Sequence, residues 1–208
     1  MEASPSVMPA SFALKFLEDL AGIRARIAVT GSDGAALDLS RGMTKTIGLM
    51  EATCKRGNKL LFIGNGGSAA IASHQAVDYW KNGGLPALAF NDASLLTCIS
   101  NDFGYERVFA EPIKRFAHQG DLLVAISSSG RSPNILAGVE AARGQQCGVV
   151  TFSGFAESNP LRLLGDVNFY VPSDSYGVVE ISHLTLLHAM VEEIILSKWS
   201  SNGSSPPV

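Results

Sequence analysis

The chain has 208 residues, 46% of them hydrophobic and 17% charged, which is length enough for one domain with a full core and too apolar a balance for a disordered chain. A formal net charge of -3 lacks the basic excess that gripping a nucleic-acid backbone requires, so nucleic acid is excluded as a partner and a small phosphorylated ligand stays open. Cys54, Cys98 and Cys147 are odd in number, widely spaced and without a CxxC pair, so they read as reduced structural thiols, not as a disulfide framework or thiolate zinc site.

Residues 1–10 carry Ser and Pro without apolar periodicity, and no basic segment leads into an apolar one. They are expected to be mobile and not a secretory signal, which predicts a cytoplasmic protein. Over residues 11–57, "FALKFLEDLAGIRARIAV" and "ALDLSRGMTKTIGLMEATCKRG" repeat apolar residues at three and four, predicting two amphipathic helices that form an N-terminal arm. From Lys59 the pattern changes. "KLLFIG", "PALAF", "DLLVAIS", "CGVVTF" and "VNFYV" are apolar almost throughout, as strands covered on both faces are, and helical connections separate most of them. The fold class is therefore α/β, a doubly wound five-stranded parallel sheet flanked by helices. It spans residues 58–198 and closes with a helix from about Val178 to Lys198. The tail 199–208 is expected to be disordered. The late stretch "LTLLHAMVEEIIL" is interrupted by His188, Glu192 and Glu193, so no membrane span is expected.

In such sheets the ligand lies beyond the carboxyl ends of the strands. After the first parallel strand come Gly64, Asn65, Gly66, Gly67 and Ser68; after the third comes "ISSSGRSPN", with Ser127, Ser128, Ser129 and Ser132. Each turn opens a helix, whose free N–H groups and dipole favour an anion, and the glycines allow close approach. Serine hydroxyls add donors around a phosphate; plain helix capping by Ser68 and Ser132 is the competing explanation. Neither GxGxxG nor a Walker loop fits, so the phosphate is held by amides and hydroxyls.

His74 and Asp78 stand at i and i+4 on the helix after the first turn, on one face. Such a pair can chelate a metal, act as an acid/base couple, or simply be solvated. The last helix carries Glu180, His183 and His188; Glu180 and His188 are about 12 Å apart along its axis, and His183 reads as a core or interface histidine.

"GNGGSAAIASH", "NDASLLTCISNDFGYERVF" and "GDLLVAISSSGRSPNI" together resemble a sugar isomerase (SIS) domain, with its flavodoxin-like sheet, and more narrowly the phosphoheptose isomerases. The resemblance covers about Phe12 to Ile195. It implies a phosphorylated sugar substrate, a homotetramer with sites at subunit interfaces, and zinc held by His74, Asp78, Glu180 and His188. It implies too that Asp78 and His188 are the acid/base groups and that Asn91 and Asp92 line the sugar, where an Asx cap is the alternative. Asp78 stands where glutamate is usual and Glu180 where glutamine is usual, and Ala69 replaces a histidine that often follows GNGGS.

The implied reaction is aldose–ketose isomerisation through an enediol, converting sedoheptulose 7-phosphate to D-glycero-D-manno-heptose 7-phosphate, with Asp78 abstracting the proton and His188 working from the opposite side. Two alternatives remain at this point: isomerisation of another phosphosugar, and a non-catalytic protein that senses sugar phosphates or binds a replication initiator.

Overall fold

The computed structural model describes residues 11–201; residues 1–10 and 202–208 lie outside the described residues. Of the tail expected to be disordered from 199, residues 199–201 are instead the end of the last helix. Helix α1 (Ser11–Ile23) is followed by strands β1 (Ala28–Gly31) and β2 (Ala36–Leu37) and helix α2 (Leu39–Lys55). The alternating part is β3 (Leu60–Gly64), α3 (Gly67–Lys81), β4 (Ala87–Ala89), α4 (Ala93–Phe103), α5 (Ala110–Phe116), β5 (Leu122–Ser127), α6 (Pro133–Gly144), β6 (Gly148–Ser153) and β7 (Val167–Tyr170). Helix α7 (Tyr176–Ser201) ends the described chain.

Strands β3 to β7 are the five expected from the sequence, and all are parallel, in the order β7-β6-β5-β3-β4. Alternate residues of each strand face opposite sides. Leu60, Phe62, Val124, Ile126 and Phe152 pack with α2, α3 and α7 on one face, while Leu61, Ile63, Leu123, Ala125 and Val149 pack with α5 and α6 on the other. Helices on both faces explain why the strands read as continuous apolar runs.

The sheet has seven strands, not five. β1 pairs antiparallel with β7, and β2 with β1, so the end of the first expected helix is a strand. α1 stops at Ile23, and the β-branched residues Ile27, Val29 and Thr30 lead into a turn in which Gly31 donates to the Ala35 carbonyl at 2.9 Å. β-branched residues favour extended backbone, and β1 covers the edge that β7 would otherwise expose. All three cysteines are free; burial pushes the thiols of Cys54 and Cys147 up to about 11, which leaves them protonated at neutral pH. Among the described residues no helix is long and apolar enough to cross a membrane.

Candidate active site

β3 and β5 are neighbours, with Gly64 paired to Ile126, although β4 intervenes in sequence. The turns leaving these two strands therefore open into the crevice where strand order reverses. That crevice is a cleft of about 330 Å³. One wall is Asn65, Gly66, Gly67 and Ser68, the other is Ser127, Ser128, Ser129 and Ser132, and α7 contributes Tyr176 and Glu180.

Gly66 is the N-cap of α3, with φ 54° and no side-chain cap, a conformation in which any β-carbon is strained. The turn leaves the first amides of α3 without intrahelical acceptors. Ser132 occupies the N-cap position of α6 but makes no capping bond; its hydroxyl instead accepts from Ser127 Oγ at 3.3 Å. Ser128 Oγ is buried without a partner. Helix capping therefore does not account for these hydroxyls, and a ligand with several acceptor oxygens does.

The two turns are tied by a pair that the sequence reading missed. Asn65 Nδ2 donates to Asn134 Oδ1 and Asn134 Nδ2 to Asn65 Oδ1, each at 2.8 Å, and the Tyr105 hydroxyl donates to Asn65 Oδ1 at 3.2 Å. Asn65 thus braces the crevice while lining it. Asn134 follows the proline that opens α6, a place where only a fold reveals its partner. Tyr176, at the start of α7, was also missed.

Helices α3 and α7 run side by side in one direction, their contacts ordered alike along both: Gly67 with Glu180, Tyr79 with Leu187, Gly83 with Val191. This register brings His188 to the His74–Asp78 pair. His74 Nε2 lies 3.2 Å from Asp78 Oδ2 and 3.3 Å from His188 Nε2, and His188 Nδ1 is 3.6 Å from the same carboxylate oxygen. The three residues can hold a metal ion, since one ligand atom from each lies within 4.8 Å of the others. Asp78 and His188 stand side by side in one chain, and the group is open to solvent, with the His74 side chain 54% exposed and that of His188 37%.

Glu180 is not in this group. Its carboxylate lies against Gly67 at the start of α3. Asn91 and Asp92 line a separate shallow depression beside Ser73 and Trp80. Asn91 Nδ2 donates to the Ala69 carbonyl and to Ser73 Oγ, both at 2.9 Å, bracing α3 from the next strand. Asp92 caps α4, accepting from the Ser94 and Leu95 amides at 3.0 and 3.1 Å; the Ser94 hydroxyl, then the amides, hold its carboxyl below the usual range. His183 is fully buried, edge-on to Phe152, and its Nε2–H donates to the Ser153 carbonyl at 3.1 Å.

The SIS domain family model matches residues 35–154. The phosphoheptose isomerase of Solidesulfovibrio magneticus is 38% identical over 181 residues, covering 84% of both chains. The chain belongs to the phosphoheptose isomerase group of the SIS family. A phosphoheptose isomerase from a Roseiflexus species is 41% identical over 146 residues, covering 67% of this chain and 74% of its own. The solved phosphoheptose isomerase of Neisseria gonorrhoeae superposes with a TM-score of 0.79 at 28% identity, covering 90% of this chain and 99% of that one. This member of the group is an isomerase, and its fold matches that of the solved Neisseria gonorrhoeae enzyme.

Proposed function

We propose that this isomerase interconverts sedoheptulose 7-phosphate and D-glycero-D-manno-heptose 7-phosphate. The observation that carries the reading is the placement of an amide- and hydroxyl-lined cradle at the start of α3 and an acid/base cluster further along the same helix. His74 is seven residues beyond Gly67, about 10 Å along the axis. An extended carbon chain advances about 1.2 Å per bond of about 1.5 Å, so the phosphate ester of an open seven-carbon sugar reaches from the cradle to the cluster with its first two carbons.

Isomerisation needs a base for the proton on one carbon, its return to the neighbour, and proton traffic at the two oxygens. Asp78 is the group that takes and returns the carbon-bound proton, and His188 serves the hydroxyl and carbonyl oxygens. The serines and the α3 amides fix the far end, so that remote binding orients the reacting carbons.

His74, Asp78 and His188 suit zinc. Around an ion about 2.0 to 2.1 Å from each ligand, tetrahedral neighbours would stand roughly 3.3 Å apart. The two edges from His74 Nε2, 3.2 and 3.3 Å, match this, while the 3.6 Å edge to Asp78 comes from the other nitrogen of His188, whose ring would turn to close the set. Zinc held by these residues would polarise the sugar oxygens. Glu180, the fourth ligand that the resemblance implies, joins them only by leaving Gly67.

The test is NMR detection of the aldoheptose phosphate after adding sedoheptulose 7-phosphate to zinc-loaded protein, beside five- and six-carbon ketose phosphates. Preferential turnover of the seven-carbon sugar supports the reading. Faster turnover of a shorter one makes this an isomerase of another phosphosugar, which the changes at Asp78 and Glu180 allow.

A further inference from the structure

The cradle already holds an anion of the protein's own. Glu180, from α7, approaches the first residue of α3 so closely that a β-carbon at Gly67 would overlap both carboxylate oxygens. The carboxylate thus lies over the first turn of α3, where free N–H groups and the positive end of the dipole attract negative charge. Among the described residues no hydrogen bond or ion pair holds it. No Lys or Arg lines the cleft, so nothing there neutralises a second negative charge. On the facing wall Ser127 donates to Ser132 and Ser129 accepts from the Arg131 amide, while the buried Ser128 Oγ lacks a partner, so one hydroxyl of the other half is left for a ligand.

We infer that Glu180 is an internal competitor of the substrate's phosphate: it rests on the N-terminus of α3, and the phosphate binds there only as the side chain moves off Gly67. This rests on reading the cleft as the phosphate cradle. Glu180 is half-buried and untied, so rotation of its own side chain suffices for the exchange. The resident carboxylate also selects the ligand class. A singly charged carboxylate metabolite brings no more negative charge to the start of α3 than Glu180 already places there. A phosphate ester brings more charge and further oxygens for Ser127, Ser128 and Ser129, and displaces it.

The experiment is calorimetric titration of the full chain with inorganic phosphate at fixed ionic strength, on the native protein, Glu180→Gln, Glu193→Gln and Ser129→Ala, each checked for an unchanged melting profile. Removing a like charge from the cradle is expected to tighten phosphate about tenfold in Glu180→Gln. Glu193→Gln makes the same change in net charge further along α7, at a residue lining a different groove, and is expected to leave the affinity unchanged. Equal tightening in both variants would overturn the inference, because net charge alone would explain it. If Ser129→Ala weakens phosphate and Glu180→Gln does not tighten it, the cradle stands and the competitor role falls. If phosphate binds none of the four proteins, the cradle reading falls and takes the inference with it.

Discussion

Asp78 sits where α3 and α7 meet, within reach of two imidazoles, and the proposed chemistry depends on its carboxylate. Asp78→Asn keeps the shape and removes the base, so kcat is expected to fall about 10²- to 10⁴-fold while calorimetry still detects sugar-phosphate binding; unimpaired turnover would remove the role. His188→Gln is expected to lower zinc content, read by metal analysis of the purified protein, since one of three clustered donors is lost. Ser129→Ala is expected to weaken binding of the phosphosugar about tenfold or more, as loss of a hydrogen bond to a charged group does. His183 makes a separate prediction about stability. Burial pushes its pKa down to about 4, against about 6.5 in an unfolded chain. Between those values the unfolded chain binds a proton that the folded one does not, so stability falls as pH drops from about 6.5 towards 4, by on the order of 3 kcal/mol in all. Denaturant melts across that range, compared with His183→Gln, check it. The i, i+4 spacing made His74 and Asp78 legible in the sequence, and the glycine- and serine-rich turns made the cradle legible. The arrival of His188 depends on the relative register of α3 and α7, and the resting place of Glu180 on an inter-helix contact; neither leaves a mark in local spacing.

At the scale of elements, the five parallel strands were readable because both faces of each are covered, which gives unbroken apolar runs. β1 was not. Its four residues follow a helix without a break in apolar spacing, and only the β-branched residues and the glycines of the following turn distinguish it. The brace between the turns after β3 and β5 was equally hidden, since each asparagine alone resembles an ordinary loop residue. Asn65→Ala strands the side-chain NH2 of Asn134, which is 2% exposed, and Asn134→Ala removes the partner of Asn65 Nδ2 while the Tyr105 hydroxyl still donates to its Oδ1. Each single change is expected to cost about 1–3 kcal/mol. The double variant should cost less than their sum, because both halves of one reciprocal pair are then gone. Additive losses in denaturant unfolding would show that the two amides act independently.

For the whole molecule, the reversal of strand order between β3 and β5 is what turns two separate sequence motifs into one cleft; α7 carries Glu180 into that cleft and, about two turns on, His188 to the His74–Asp78 pair. The His74–Asp78–His188 group is open in a single chain. Phe12, Leu14 and Leu17 on α1 are each more than half exposed, and an apolar groove of about 550 Å³ runs between α1, α2 and α7 past Leu20, Met43 and Ile181. These features support the homotetramer proposed from the resemblance, in which neighbouring subunits cover the groove and complete the walls around His74. Sedimentation equilibrium is expected to report four chains, and a monomer that still turns over would contradict that part of the account. The central claim, that Asp78 moves a carbon-bound proton of a sugar phosphate anchored at the start of α3, is tested most directly by isotope exchange. Sedoheptulose 7-phosphate incubated in D2O with the zinc-loaded protein should acquire deuterium at the carbon next to its carbonyl, and Asp78→Asn should bind the sugar without exchanging it. Exchange at the native rate in Asp78→Asn, or none in the native protein with the sugar bound, would contradict the account.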